Sequence, residues 1–260
     1  LRGRVLVAED NESNLVIARA HLERLGLQVI AVADGQQALE LMHQQAFNLV
    51  LMDCQMPMLD GFAATAAWRE HEAAVGGHLP VIALTANAME GDRERCAASG
   101  MDDYLAKPYS GAEVLAVLMR WLPVERRQSE QGPVMPAVTL VPDDSPIDPE
   151  AIAKIRALSP ENSASLVRQL IEAYLKSSER EWARLDEGVV QGDPALVASA
   201  AHALKSGSFN VGANILAEGC KEIEMLGLAG KMPELLQRVD ALRAERLRVD
   251  AALGEMLAGT

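Results

Sequence analysis

The fold is decided by the stretch Asn48-Leu49-Val50-Leu51-Met52-Asp53-Cys54-Gln55-Met56-Pro57. It is an apolar run of strand length that ends abruptly in one carboxylate, Asp53, and a proline-containing turn. Strands that are buried on both faces of a parallel sheet have continuous apolar runs of this kind. Ligands of such sheets bind at the carboxyl ends of the strands, so we expect the chemistry of this protein at Asp53.

Four similar runs surround this stretch in the first half of the chain. The five apolar runs lie at residues 5–8, 29–32, 49–52, 81–84 and 104–106, and segments of helical period separate them. The first of these segments, from Asn14 to Leu25, has apolar residues every three or four positions and is followed by Gly26, a helix stop. This alternation over residues 4–121 predicts an α/β fold with five strands in a doubly wound parallel sheet and five helices.

The second half has a different pattern. Periodicity disappears in residues 124–146, which contain four prolines, and we interpret these residues as a flexible linker. Beyond them no strand signal appears, and an N-cap residue followed by proline marks helix starts at Asp148-Pro149, Ser159-Pro160 and Asp193-Pro194. Apolar stripes at helical spacing then predict a helical bundle. The predicted domains are 1–123 and 147–260, joined by the linker 124–146.

The composition narrows the classes of partner. A formal net charge of −13 disfavours nucleic acid and anionic membranes as partners, because both attract basic patches. No stretch approaches the roughly 20 apolar residues of a membrane helix, so we expect no direct membrane insertion of this chain. Three widely spaced cysteines suggest reduced thiols in the cytoplasm. Since the chain begins at Leu1 just before a strand, we expect a fragment of a longer protein, which the inner membrane could anchor.

Polar groups follow four of the predicted strands at the edge that carries Asp53. Glu9 and Asp10 come directly after the first strand, so three carboxylates should converge there. Such a site suits Mg²⁺, which takes carboxylate and phosphate oxygens. Thr85 ends the fourth strand and Lys107 follows the fifth, and a hydroxyl and an ammonium suit a phosphoryl group on Asp53.

Five short motifs together resemble those of response-regulator receiver domains. They are Glu9-Asp10-Asn11, the stretch Met52 to Pro57, Asp60-Gly61, Thr85-Ala86 and Lys107-Pro108. The resemblance covers residues 4–121 and implies a flavodoxin-like fold with strand order 2-1-3-4-5. It implies that Asp53 is the phospho-acceptor and that Glu9, Asp10 and the Gln55 carbonyl lie at the Mg²⁺. It also implies a cis peptide at Lys107-Pro108 and a switch in which Tyr104 turns inward as Thr85 moves.

The surroundings of Asn11 and Asp53 are most similar to receivers attached to hybrid sensor histidine kinases.

One histidine of the second half is distinctive. His202 is two residues from both Ala200 and Leu204 of an apolar stripe, so it should point away from the core, with Lys205 one turn on. A neutral imidazole is a competent nucleophile at physiological pH. The other histidines, at positions 21, 43, 71 and 78, are expected on the surface without convergent partners.

The sequence from Ala201 to Ser208, continuing to Val211-Gly212-Ala213, resembles histidine-containing phosphotransfer domains. The resemblance implies a four-helix core, His202 as phospho-acceptor and Lys205 as a charge partner. One departure is Ser206-Gly207, where the family more commonly has Gly and then a small residue.

The leading functional hypothesis is a phosphorelay. An upstream histidine kinase domain would phosphorylate Asp53, and the phosphoryl group would pass to His202 and then to a downstream response regulator. The resemblance allows transfer in either direction, and a contact between the receiver and phosphotransfer domains is among the expected interactions. No ATP-binding motif is present, so this chain alone should not autophosphorylate, which leaves open whether it is itself an enzyme.

Two alternatives come from other classes. The first is a Mg²⁺-dependent phosphohydrolase that uses Asp53 as a nucleophile. Such enzymes place a second acid two residues later, where this chain has Gln55. The second is a docking module in which His202 is incidental.

Overall fold

The structure, a computed structural model, describes residues 1–85, 90–122 and 145–259. Ala86 and almost all of the predicted linker, 124–144, lie outside the described residues. We refer to residues 1–122 as the sheet half and to residues 145–259 as the helical half.

The sheet has five strands, and every neighbouring pair is parallel. Their order is β2-β1-β3-β4-β5, which confirms the predicted flavodoxin-like topology. Each strand is one residue longer than its apolar run: β1 (Arg4–Ala8), β2 (Gln28–Val32), β3 (Leu49–Asp53), β4 (Val81–Thr85) and β5 (Asp103–Ala106). All residues of β3 and β4 are buried, as continuous apolar runs predict for central strands covered on both faces.

Within the described residues, five helices cover the two faces of this sheet. They are α1 (Glu12–Arg24), α2 (Gly35–Gln44), α3 (Gly61–Val75), α4 (Glu90–Ala98) and α5 (Gly111–Trp121). One apolar cluster joins α1 and α5 to the sheet, and another joins α2, α3 and α4 to its opposite face. The first helix begins two residues before Asn14, because the Asn11 side chain accepts hydrogen bonds from the amides of Ser13 and Asn14 and so caps it.

The helical half confirms the expected all-α architecture. It comprises α6 (Pro149–Leu158), α7 (Ser163–Gln191), α8 (Pro194–Asn210), α9 (Asn214–Leu228) and α10 (Met232–Ala258). Helices α7 to α10 contact one another in chain order, α10 returns to α7, and α6 packs on α7. Asp148 and Asp193 cap their helices as predicted. Ser159 instead precedes a single 3₁₀ turn, Pro160–Asn162, and the long helix begins only at Ser163.

Helix α1 joins the two halves. Its Ala18 and Leu22 belong to the core of the sheet half, whereas Ile17 belongs to the apolar core of the helical half and is 8% exposed. Polar contacts surround this apolar one. They are Asn210 Nδ2 to Asn14 Oδ1 at 2.6 Å, Asn11 Nδ2 to the Ala203 carbonyl at 3.2 Å, Lys176 Nζ to Glu12 Oε1 at 2.8 Å, and Arg24 Nη1 to the Ala157 carbonyl at 3.0 Å.

The expectation of surface histidines without convergent partners is wrong. His43 and His71 contact each other, with ring centroids 4.5 Å apart, and both contact the ring of Trp68.

His21 is buried between α1 and the start of α5, with its ring 6.3 Å from that of Tyr109, because α1 turns this residue toward its neighbours and away from solvent. Burial, with the charge of Arg24, lowers its pKa. His78 is exposed, but its Nε2 lies 2.7 Å from Asp102 Oδ1, so it has a partner.

None of the helices in the described ranges has the length and apolar character needed to cross a membrane.

Gly61 allows the first turn of α3 to approach the end of β3. A Cβ at this position would lie 2.1 Å from the Asp53 carbonyl oxygen, so we expect Gly61→Ala to lower the free energy of unfolding by about 1–3 kcal/mol. The matched control is Gly254→Ala, because Gly254 lies inside α10 and a Cβ there meets nothing within 4 Å. This change should stabilise the protein by about 0.5–1 kcal/mol. Urea unfolding would measure the change in the free energy of unfolding for each variant. Equal changes in the two variants would contradict a close approach of α3 to β3 at Gly61.

Candidate functional site

Carboxylates from two adjacent strands meet at the carboxyl edge of the sheet. Glu9 and Asp10 follow β1, and Asp53 is the last residue of β3, which pairs with β1. One oxygen of each carboxylate lies within 4.8 Å of the others. Glu9 and Asp53 are buried, whereas Asp10 is half-buried. The structure thus brings together the three acids that the strand ends predict.

Lys107 lies between two of these acids. Its Nζ is 2.6 Å from Glu9 Oε2 and 2.6 Å from Asp53 Oδ2, and only 7% of its side chain is exposed. Burial alone would lower the pKa of Lys107, but the charges of Asp53 and Glu9 raise it. The ammonium therefore remains charged and fixes the orientation of Asp53. The peptide between Lys107 and Pro108 is cis, as the family resemblance implies.

The acids are short of positive charge despite Lys107. Burial, and then the charge of Asp53, raise the pKa of Glu9 to about 8, although Glu9 Oε1 also accepts a 2.8 Å hydrogen bond from Asn14 Nδ2. The same two causes raise the pKa of Asp10 to about 6. An oxygen-only cluster with excess negative charge fits a hard divalent cation. Gln55 is beside the cluster, and its backbone N–H donates to Asp53 Oδ1 at 3.1 Å.

The two residues of the expected switch occupy neighbouring strands. Thr85 is buried at the carboxyl end of β4, and its carbonyl accepts a hydrogen bond from the amide of Lys107 at 2.6 Å. Tyr104 lies in β5, is half-buried, and has the guanidinium of Arg93 4.6 Å from its ring centroid. Thr85 thus reaches the edge that carries Asp53, while Tyr104 packs toward α4, and the coupling of the two remains a prediction.

His202 is the corresponding feature of the helical half. It lies on α8 with 16% of its side chain exposed, because the sheet half covers the face on which the sequence places it. Its Nδ1 is 2.7 Å from Glu224 Oε1, and Lys205 Nζ is 2.7 Å from Glu224 Oε2. Burial would raise the pKa of Glu224, but hydrogen bonds and charges from His202 and Lys205 lower it.

This contact fixes the chemistry of the imidazole. An ionised carboxylate can only accept hydrogen bonds. His202 Nδ1 therefore carries a proton and donates a hydrogen bond to Glu224 Oε1. The lone pair of the neutral ring is then on Nε2. His202 therefore has one nitrogen held by the bundle and one available as a nucleophile.

Sequence reasoning did not assign a role to Glu224. Its signals are its match, with Leu216, Cys220 and Ile223, to the helix after the histidine in histidine-containing phosphotransfer domains, and its place at the edge of the buried stripe of α9. Nothing in the spacing indicates that this edge faces His202, which is 22 residues away in the sequence. The pairing depends on how α8 packs against α9.

A cavity of about 520 Å³ contains both candidate acceptors. The sheet half lines it with Asp53, Lys107 and their acidic neighbours, and the helical half lines it with His202 and Ser206. Three further side chains of α7 border the same space, namely Arg180, Glu181 and Arg184. The docking of α1 against the bundle therefore places Asp53 and His202 on the walls of one cavity.

Comparison with protein families gives two matches. Residues 5–119 match the response regulator receiver domain, and residues 169–255 match the Hpt domain. The matches occur in the order that the sequence predicts, and each lies within one half of the structure.

Curated relatives are sensor proteins. The virulence sensor protein BvgS of Bordetella bronchiseptica is 33% identical over 257 residues, which cover 96% of this chain and 20% of that protein. The sensor protein GacS of Pseudomonas syringae pv. syringae is 43% identical over 134 residues, which cover 49% of this chain and 15% of that protein. The chain thus spans a fifth or less of the length of these relatives.

Two solved structures are similar to parts of this chain. The receiver domain of the sensor histidine kinase PA1611 from Pseudomonas aeruginosa PAO1, with a magnesium ion in its active site cleft, is 45% identical, with a TM-score of 0.43 and coverage of 46% of this chain and 98% of that one. A chain from the Saccharomyces cerevisiae complex of Ypd1 with the receiver domain of Ssk1 is 28% identical, with a TM-score of 0.44. The match covers 45% of this chain and 87% of that one.

The two family matches together account for most of both halves of the structure, and a relative that aligns along nearly the whole chain is a sensor protein. This chain therefore carries a response regulator receiver domain that is followed by an Hpt domain.

Proposed function

We propose that this chain works in phosphorelay signal transduction by passing a phosphoryl group between Asp53 and His202. The observation that carries the proposal is the shared cavity, which Asp53 lines from the receiver side and His202 from the Hpt side. The two groups are suited to opposite ends of one transfer, because one is a carboxylate held by an ammonium and the other is an imidazole with a free lone pair.

In the loading step, the carboxylate of Asp53 attacks a phosphohistidine of an upstream histidine kinase domain. The bond between phosphorus and nitrogen breaks as the bond to the Asp53 oxygen forms. Lys107, which is 2.6 Å from Asp53, would hold one phosphoryl oxygen, and the Thr85 hydroxyl would donate to another. Glu9, Asp10, Asp53 and the Gln55 carbonyl would hold Mg²⁺, which when bound neutralises charge on the phosphoryl oxygens.

In the transfer step, Nε2 of His202 attacks the phosphorus and the bond to Asp53 breaks, which returns Asp53 to a carboxylate. The imidazole becomes cationic as it reacts. Glu224 stabilises this cation through the Nδ1 proton, and Lys205 offsets the charge of Glu224 when the ring is neutral. Lys205 would thus act on His202 through Glu224.

The relay requires the two domains to separate between steps. With only 16% of the His202 side chain exposed, a separate response regulator cannot dock over it while the receiver of this chain occupies the same face. The same holds for an upstream kinase domain at Asp53, which is 5% exposed. The docked arrangement would therefore serve transfer within the chain, and an open arrangement would serve its partners.

We propose that this exchange takes place in the cytoplasm. Cys54, Cys96 and Cys220 are all buried in the described part of the chain and form no disulfide, as suits a reducing compartment.

The alternatives are not favoured. The residue two positions after Asp53, Gln55, cannot donate a proton to a leaving group as the second acid of a phosphohydrolase does. An incidental His202 has no need of a half-buried carboxylate that fixes its tautomer, and Glu224 provides one.

The relay predicts the location of phosphoryl groups after labelling by an active upstream kinase domain. The wild-type chain should carry label on Asp53 and His202, Asp53→Asn should carry none, and His202→Gln should keep label on Asp53 only. Acid and base stability distinguishes the two linkages. Asp60→Asn is the control, because Asp60 caps α3 and asparagine caps equally well.

Label that reaches Asp53 of the wild-type chain but never His202 would contradict transfer within this chain. A mixture of Asp53→Asn and His202→Gln chains should label His202 slowly and in proportion to concentration, since the transfer then becomes bimolecular.

Glu224 should affect the transfer step alone. The side-chain oxygen of Gln at this position still accepts a hydrogen bond from Nδ1–H, but it lacks the negative charge. We therefore expect Glu224→Gln to slow the appearance of phosphohistidine about tenfold and Glu224→Ala to slow it further. Label on Asp53 should form at the wild-type rate. Glu222→Gln, on the exposed side of the same helix, is the control. Wild-type rates in both Glu224 variants would rule out this role.

Mg²⁺ affinity should increase with pH. Because the pKa values of Glu9 and Asp10 are raised to about 8 and about 6, these acids bind protons at low pH that a cation must displace. We therefore expect calorimetric titration to show about tenfold weaker Mg²⁺ binding at pH 6 than at pH 8. Glu9→Gln should flatten this dependence, and a constant affinity in the wild-type chain would disprove the site.

A further inference from the structure

One buried acid of the Hpt domain has no role in the relay as described. Glu181 lies on α7, where Tyr174, Trp182 and Leu185 are core residues, and only 3% of its side chain is exposed. Burying an ionised carboxylate costs several kcal/mol unless cations compensate it, and an apolar residue would fill such a position at lower cost. Its presence calls for an explanation in terms of the groups it contacts.

Glu181 holds two arginines. Arg180 Nε lies 2.9 Å from Glu181 Oε1, and Arg184 Nη1 lies 2.5 Å from Oε2. A second nitrogen of the latter, Nη2, donates to Ser199 Oγ on α8 at 3.3 Å, one turn before His202. The two guanidinium groups are therefore fixed by a carboxylate beneath them and, for Arg184, by the helix that carries the phospho-acceptor.

Each of the two guanidinium groups has more N–H donors than its bonds to Glu181 and Ser199 use. Their side chains are 52% and 40% exposed, and both line the space that contains Asp53 and His202. A guanidinium offers five N–H donors in a planar fork that matches phosphate oxygens.

Among the described residues that line the cavity, the other cationic side chain besides His202 is Lys107, which belongs to the receiver and pairs with Glu9 and Asp53. Lys205 is paired with Glu224 and does not line this cavity. Arg180 and Arg184 are therefore the guanidinium groups that the Hpt side contributes to the space between the two acceptors.

We propose that Arg180 and Arg184, held in place by Glu181, bind the phosphoryl oxygens while the group passes between Asp53 and His202. The inference rests on the proposed relay. In this step the bond from His202 Nε2 to phosphorus forms, the bond from phosphorus to the Asp53 oxygen breaks, and its electron pair stays on Asp53. The arginines donate hydrogen bonds and are not consumed, and Glu181 is a positioning residue.

The test is a single-turnover measurement on the full chain with Mg²⁺ and acetyl phosphate, a small acyl phosphate, as donor. Arg180→Gln and Arg184→Gln should each slow the appearance of phosphohistidine at least about tenfold, because one donor aimed at developing charge contributes about that much or more. In a His202→Gln background the same changes should leave the labelling of Asp53 unchanged, since neither arginine belongs to the receiver.

Arg243→Gln is the matched control. Arg243 is a half-exposed arginine of α10 whose Nη2 lies 2.6 Å from Asp186 of α7, and it does not line the cavity. This variant should transfer at the wild-type rate. If removing any ion pair from α7 slows transfer, Arg243→Gln will also transfer slowly. That result would overturn the inference.

A double variant tests whether a slow rate in the single variants arises from misfolding. Glu181→Gln combined with Arg184→Gln removes acid and base together, so neither is left buried and unpaired, and it should remain slow. Wild-type rates in the folded single and double variants, with label reaching His202 normally, would overturn this inference alone. If label never reaches His202 in the wild-type chain, the proposed relay and this inference both fall.

Discussion

The ion pairs of Lys107 with Glu9 and Asp53 are the constraint on which the receiver site depends. They join the ends of three strands that are separate in the sequence, and they do so at 2.6 Å inside a largely buried pocket. A buried pair of this kind contributes little net stability, because desolvation of the charges offsets their attraction. What it provides is orientation, since the carboxylate of Asp53 is held by the ammonium on one oxygen and by the Gln55 amide on the other.

Helix α1 connects this pocket to the second domain. Its cap, Asn11, follows the two acids directly, so the helix starts beside the site and runs along the bundle. One of its faces is part of the receiver core, and Ile17 on another face is buried in the core of the bundle. Placing a phosphotransfer helix against this second face sets His202 over the acidic pocket. The domain contact and the shared cavity thus have the same structural origin.

The same contact limits how the protein can work. A relay needs a donor and an acceptor outside this chain, and the proposed transfer state covers both acceptor residues. Because the contact combines a few apolar side chains, Val16 and Ile17 among them, with several polar pairs, it is suited to repeated association. We expect the population of docked chains to govern how often phosphate moves within the chain.

The sequence by itself determined the strands, most helix starts and the positions of the candidate acceptors. Apolar runs, helical spacing and N-cap residues are local signals, since each reflects how an element buries its own side chains. The positions of Asp53 and His202 followed from that local reasoning. The partner of His202 did not, and neither did the arginines of α7, because no periodicity specifies which residue of a second helix faces a given side chain. Val16 and Ile17, apolar residues beside the main stripe of α1, were the available sign of a second buried face. Only the tertiary structure decided that this face meets the Hpt domain, because that contact joins residues as far apart as Asn14 and Asn210. The packing of α8 against α9 likewise decided that Glu224 meets His202, 22 residues away.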